Sequence, residues 1–217
     1  MRLQLAVLLA AALAAAPQEK SITPDLSKAA EGQGWKVEGR KVSAFEADGK
    51  KAIRFDKSPG QGIAWSPEVE FAEGTIELDL KGEDRPQQSF VGVAFRVVDE
   101  KTHDAVYFRP FNFKTPDDAR RIRAVQYVSH PQFPWPKLRQ EKPGVFEKAV
   151  NPVPDPNGWF HARIVVEKRR VSVFVNDARE PCLVVEELSD RKGGQVGLWV
   201  GEGSGGEFAN LKVTPAK

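Results

Sequence analysis

Seven residues in the middle of the chain have side chains suited to holding and acting on a polar ring: Arg96, Tyr107, Arg109, Gln126, Tyr127, His130 and Trp135. Arginine and glutamine offer fixed donors to hydroxyl groups, and glutamine also offers an acceptor. Tyrosine and tryptophan offer flat faces against which the apolar side of a pyranose can lie. Of the three histidines, His130 is best placed to move a proton. It opens a long loop directly after Gln126 and Tyr127, and an imidazole titrates near neutral pH. These types predict a binding set of Arg96, Tyr107, Arg109, Gln126, Tyr127 and Trp135, with His130 as acid or base. The ligand they suit is a carbohydrate.

Period-two alternation must bring these side chains together. Over 104–111, Tyr107, Arg109 and Phe111 fall on one strand face, and Val106, Phe108 and Pro110 on the other. Over 90–98, Arg96 shares a face with Gly92 and Ala94. Over 121–129, Gln126 shares a face with Ile122, Ala124 and Val128, and Tyr127 with Arg123 and Val125. If these strands are neighbours, a polar-aromatic band forms, with Gly92 and Ala94 leaving room for a ligand. The competing expectation is a solvated face whose arginines pair with carboxylates. The proline-rich stretch 130–158 shows no strand pattern, yet holds Phe133, Trp135 and Phe146. It is expected to be an ordered cover loop anchored by those aromatics over one sheet edge.

The rest of the chain also reads as short strands. Segments 35–42 and 52–55 flank an Asp48-Gly49 turn signal. In 75–81, Ile76, Leu78 and Leu80 point inward; 159–168 and 171–176 form a hairpin across Arg169-Arg170. Segment 181–185 leads to a closing pair. The polar turn 99–103 is expected to leave His103 solvated. Strands at this spacing predict an all-β, two-sheet antiparallel sandwich with a long cover loop.

Residues 1–14 read as a secretory signal peptide. Arg2 gives the positive start, 3–13 are apolar but too short to span a bilayer, and Ala12 and Ala14 sit at the small-residue positions. Residues 15–24 are expected to be a flexible leader and 25–217 a single sandwich, placed outside the cell or in a bacterial periplasm. With Cys182 alone, no intramolecular disulfide can form. A net charge of +2 with mixed signs and no basic block argues against nucleic acid, and no second apolar segment reaches membrane-spanning length.

The closing stretch 194–213, GQVGLWVGEGSGGEFANLKV, alternates Val196, Leu198 and Val200 with Gly197, Trp199 and Gly201. After a glycine-rich turn, Phe208, Leu211 and Val213 resume the apolar pattern. This hairpin resembles the C-terminal end of concanavalin A-like lectin and glucanase sandwiches of jelly-roll type, including laminin-G-like domains and the 3-keto-disaccharide hydrolase group. The resemblance implies carbohydrate handling and, in the last group, hydrolysis of an oxidised glycoside. The strand TIELDLK resembles part of the E-x-D-x-E strand of family 16 glycoside hydrolases. Lys81 stands where the second glutamate of that pair would be. The retaining mechanism needs both carboxylates, so Glu77 and Asp79 are read as solvating an outer face.

No histidine spacing suits a metal, and no cofactor is expected; the acidic turn of Asp99, Glu100 and Asp104 could hold calcium. Three functions remain open: glycan recognition on a concave sheet face, glycoside hydrolysis of a keto-disaccharide or oligosaccharide, and protein adhesion. A carboxylate pair, or a carboxylate with His130, in one pocket favours hydrolysis. A flat apolar patch favours adhesion.

Overall fold

A computed structural model describes residues 20–216. The strands are β1 (Lys36–Glu38), β2 (Val42–Ala47), β3 (Lys50–Phe55), β4 (Gly62–Phe71), β5 (Gly74–Lys81), β6 (Val91–Asp99) and β7 (Thr102–Phe108) in the first half. Then come β8 (Val125–His130), β9 (Glu147–Lys148), β10 (Phe160–Glu167), β11 (Arg170–Val175), β12 (Leu183–Glu186), β13 (Gly194–Val200) and β14 (Gly206–Pro215). Three short helices interrupt them: α1 (Ser27–Ala30), α2 (Asp118–Arg121) and α3 (Trp135–Glu141). Two antiparallel sheets of seven strands face each other, ordered β1-β4-β13-β6-β7-β8-β9 and β12-β11-β10-β5-β14-β3-β2. This is the concanavalin A-like sandwich.

The core forms where alternation aims side chains between the sheets. Ile76, Leu78 and Leu80 of β5 meet Val91, Val93, Phe95, Val106 and Phe108 of the other sheet in one buried cluster. The Phe108 and Phe160 rings bridge the sheets at 5.0 Å, edge to face. Each such side chain contributes roughly 1.5–3 kcal/mol through burial. In the β2–β3 turn, Asp48 and Gly49 both take positive φ, 53° and 71°, the twist that joins two-residue hairpins.

Several expectations change. Segment 35–42 is divided: β1 pairs with β4 in one sheet, and the strand before the Asp48-Gly49 turn is β2, in the other. The chain enters β8 through helix α2, so the strand begins at Val125 rather than at 121. The closing pair is not a hairpin: β13 lies between β4 and β6, and β14 between β5 and β3. Alternation shows that each strand has a buried face, but not which sheet owns it. The loop 130–158 contains α3 and the edge strand β9, which pairs with Val125 and Gln126. Its anchors are Leu138, Phe146 and Val150, all buried. Phe133 is half-buried and bridged to Ser129, while Trp135 is 44% exposed and is not an anchor. The expected leader is tied down at Ile22, which exchanges two backbone hydrogen bonds with Val213 (2.7 and 2.8 Å). The signal peptide expected over 1–14 lies outside the described residues. No helix among the described residues is long and apolar enough to cross a membrane.

Candidate functional site

The sheet containing β6, β7 and β8 has one face on the core and one turned away from it. On that outer face, register places Trp199, Gly92, Tyr107 and Gln126 side by side across β13, β6, β7 and β8. A cleft of about 560 Å³ opens over this row, lined by Phe90, Tyr107, Arg109, Phe111, Asn112, Trp199 and, around them, Arg120 of α2, Arg123, His130 at the end of β8, Trp135 and Arg139 of α3, and Glu202. Its size suits a small ligand.

Gly92 makes the floor. A Cβ there would lie 2.6 Å from the Tyr107 Cα and Cβ and 2.2 Å from the Val106 carbonyl oxygen. The missing side chain lets Tyr107 lean over β6 until its ring is 5.0 Å from Trp199. The room that Gly92 provides is thus filled by Tyr107 itself. Phe90 meets Phe111 edge to face at 5.5 Å beside this pair. The result is an aromatic floor.

Beneath the cleft lies a buried polar network. After β7, Pro110 has no N–H for a ladder, and the chain turns into a 3-10 helix, Pro110–Asn112. Arg109, at that turn, is 5% exposed. One terminal nitrogen donates to the Arg123 carbonyl at 2.8 Å; the other donates to the Tyr107 hydroxyl (2.7 Å) and to Gln126 Oε1 (2.9 Å). Its guanidinium sits 4.9 Å over the Tyr107 ring. Glu147, carried in by β9, lies 3.7 Å from Arg109, and Arg139 of α3 grips it with two bonds of 2.9 and 2.7 Å. Burial pulls the Arg109 pKa below its ordinary value, with Tyr107 and Glu147 opposing. Burial pushes the Tyr107 phenol up, so it keeps its proton. Because the Tyr107 oxygen accepts from Arg109, that proton is free to be donated.

The structure therefore brings Tyr107, Arg109, Gln126, His130 and Trp135 to one place, with Gln126 buried under Arg109 rather than open to a ligand. Two expected residues are elsewhere. Arg96 takes φ 49° where the registers of β6 with both neighbours shift. A bulge breaks counting by twos, and the side chain turns to the Ala72 carbonyl (3.0 and 2.8 Å) and to buried Glu187 at 2.8 Å. Tyr127 pairs with Val106 and so faces the core. Its ring lies between Phe95 and Phe146, and its hydroxyl donates to Asp104 (3.2 Å). Asp104 is fully buried with Arg191 at 2.7 Å, so Asp99, Glu100 and Asp104 do not converge on an ion. No group of three or more metal-ligating side chains occurs among the described residues. Glu77 and Asp79 lie on the outer face of the opposite sheet, far from the cleft. Burial raises the Asp79 pKa, but bonds from His161 (2.8 Å), Lys50 and Asn210 (2.7 Å each) outweigh it and hold the carboxyl well below the usual range.

Sequence reasoning missed Asn112, Arg120, Arg123, Arg139 and Glu147. Asn112 Oδ1 is buried and has no hydrogen-bond partner among the described residues, an acceptor left for a hydroxyl group.

His103 also departs from expectation. It is not in a solvated turn but in β7, opposite His130, fully buried, with neither ring nitrogen hydrogen-bonded among the described residues. The two rings are 5.1 Å apart. Burial first, then His130 and Arg191, push its pKa down to about 3. Burial, with Arg191 adding, also lowers His130, so the cleft imidazole is neutral at pH 7. The unfolded chain takes up a proton at His103 below about pH 6.5 while the fold refuses it, so stability falls from there until about pH 3. At about pH 4.5 the loss is on the order of 2–3 kcal/mol. Urea unfolding at pH 7 and at about pH 4.5 should show wild type losing roughly that much more than His103→Gln. Identical pH dependence in the two proteins would show that His103 is protonated in the fold.

Solved structures share this sandwich. The carbohydrate-binding module CBM66 from Bacillus subtilis is 19% identical, with TM-score 0.56 over 83% of this chain and 95% of that one. A native glycosidic hydrolase is 12% identical, with TM-score 0.56 over 94% and 99%. The VIP36 exoplasmic/lumenal domain in its Ca2+/Man3GlcNAc-bound form is 11% identical, with TM-score 0.53 over 84% and 83%. At such identities these likenesses establish the fold alone. No curated protein sequence matches the chain. The family model of the 3-keto-alpha-glucoside-1,2-lyase-like domain matches residues 27–214. The sandwich and the cleft thus lie within one matched span, and the chain belongs to the 3-keto-alpha-glucoside-1,2-lyase-like family.

Proposed function

We propose that the cleft binds a glycoside oxidised at C3 and cleaves it by elimination, with His130 as the base. The observation that carries this reading is a neutral imidazole beside an aromatic floor, with no free carboxylate pair. Of the nearby carboxylates, Glu147 is held by Arg139, and Glu202 accepts from the Gly60 N–H at 2.8 Å. Two-carboxylate hydrolysis has no pair to use here. Elimination needs less. A ketone at C3 acidifies the C2–H bond and places the glycosidic oxygen on C1 in the β position. His130 takes the C2 proton, the C1–O bond breaks, C1=C2 forms, and the imidazolium returns the proton to the departing oxygen. Negative charge gathers on the C3 oxygen meanwhile. The Tyr107 hydroxyl, backed by Arg109, is the donor suited to it. Asn112 Oδ1 accepts from a sugar hydroxyl, and the ring lies on Trp199 and Tyr107.

A second reading, recognition without cleavage, is favoured by the breadth of the aromatic floor and by the fold shared with a carbohydrate-binding module. Adhesion is disfavoured, because the face is a cleft crowded with arginines rather than a flat apolar patch. The expected N-terminal signal would place either activity outside the cytoplasm.

Both sugar readings require the same site. Titration with maltose, followed through the tryptophan indole N–H signals, should shift Trp135 and Trp199 and leave Trp159 unmoved. Trp199 Nε1 donates to Gln61 at 3.3 Å in the cleft, whereas Trp159 lies under Lys81 on the opposite sheet. Shifts at Trp159 alone would move the site to the other face.

A further inference from the structure

We infer that the glycan taken by this cleft carries an acidic group, a carboxylate or a sulfate, held at the rim by Arg120 and Arg123. This rests on the cleft being the sugar site.

The charge balance of the rim points there. Arg109, Arg123 and Arg139 share one carboxylate, Glu147, at distances of 3.7, 3.6 and 2.7 Å. Arg139 already occupies both Glu147 oxygens, so the Arg123 contact is a loose one. The Arg123 Nε is buried and has no hydrogen-bond partner among the described residues. Leaving a buried donor of a charged group unmade is costly, and natural folds seldom do it without a ligand or a water to fill the gap.

Arg120 stands beside it on α2. Asp117 caps that helix, accepting from the Ala119 and Arg120 backbone N–H groups (2.9 and 3.2 Å), and so fixes where Arg120 leaves the backbone. Its side chain lines the cleft and makes no ion pair or hydrogen bond among the described residues. Glu202, the carboxylate that lines the cleft among the described residues, is engaged by the Gly60 backbone. The rim therefore holds guanidinium charge that no carboxylate among the described residues neutralises.

A neutral sugar does not call for this arrangement. Its hydroxyls need acceptors as well as donors, and arginine can only donate. A planar fork beside a second fork matches the two or three oxygens of a carboxylate or sulfate. The aromatic floor and Asn112 serve the sugar ring; Arg120 and Arg123 serve the acidic group on it.

The test compares maltose, maltose with a C6 carboxylate on either ring, and the corresponding 6-O-sulfates, by calorimetric titration of wild type and of Arg120→Gln. Arg120 is half exposed on a short helix, and a retained melting temperature will confirm that the variant folds. An acidic sugar should bind wild type about tenfold more tightly than maltose, through charge-assisted hydrogen bonds. That preference should shrink to about threefold or less in Arg120→Gln, and should fade in high salt, which screens exposed charges. Preference for the carboxylate over the sulfate, or the reverse, would identify which acid the rim is shaped for. Equal binding of maltose and of every acidic derivative would overturn the inference and leave the cleft reading intact. The same result follows if the acidic preference survives unchanged in Arg120→Gln. If folded wild type binds none of the sugars, the cleft reading and this inference fall together.

Discussion

Arg109→Ala is expected to destabilise the protein by about 3–5 kcal/mol, the usual cost of removing one partner from a buried charged network. From the sequence alone, this arginine would be assigned to the ligand. The structure gives it a different task. Both terminal nitrogens are already committed, to Tyr107, Gln126 and the Arg123 carbonyl. Its removal strands Gln126 Oε1, which is buried, and takes away the bond that orients the Tyr107 hydroxyl. Glu147 keeps its two bonds from Arg139, so its charge is not orphaned and the loss should stay within that range. A domain of this size loses roughly 2–4 °C of melting temperature per kcal/mol, so a fall of about 10 °C is expected. Arg109→Lys should recover only part of it, because one ammonium cannot reach three acceptors spread around a planar fork. A melting temperature within about 2 °C of wild type in Arg109→Ala would mean that water replaces the network readily.

Much of this arrangement follows from the plain pleat. In β5 alternation is unbroken, and in β7 it runs through to the turn at Arg109, so the inward set Ile76, Leu78 and Leu80 and the outward set Tyr107 and Arg109 could be read by counting. Counting fails at Arg96, because a left-handed residue in a bulge resets the phase and no local residue type announces it. It fails at Tyr127 for another reason: neighbours on one strand point oppositely, and only the register with Val106 decides which faces the core. The two closing strands looked like a hairpin because a glycine-rich turn separates them. Such a turn can equally carry the chain from one sheet to the other. Glu147, Arg139 and Asn112 were out of reach because their roles depend on contacts between a loop and a distant strand. Trp135 is suited by its ring both to anchoring the cover loop and to binding a ligand, and the sequence does not choose between them. It stands half exposed, with the Arg139 guanidinium 4.6 Å over its ring, as a wall of the cleft.

His130→Ala is expected to lower turnover of a 3-keto-glycoside by about 10²–10⁴-fold, the range for losing a general base. The residue is held in place from the backbone, since its carbonyl accepts from Arg191 at 3.2 Å. Its ring is half-buried at the cleft and kept neutral by burial and by Arg191. An imidazole held neutral can accept the C2 proton at pH 7, which an imidazolium cannot. Because the proposed pose seats the sugar ring on Tyr107 and Trp199 and not on His130, affinity should change by less than about threefold. The measurement that bears most directly on the account is the fate of a 3-keto-α-glucoside mixed with wild type and with His130→Ala. Wild type should release the alcohol and form the conjugated unsaturated ketone, while the variant binds the same compound and leaves it whole. Wild type that binds the keto-glucoside without releasing the alcohol, or His130→Ala that releases it at the wild-type rate, would contradict the account.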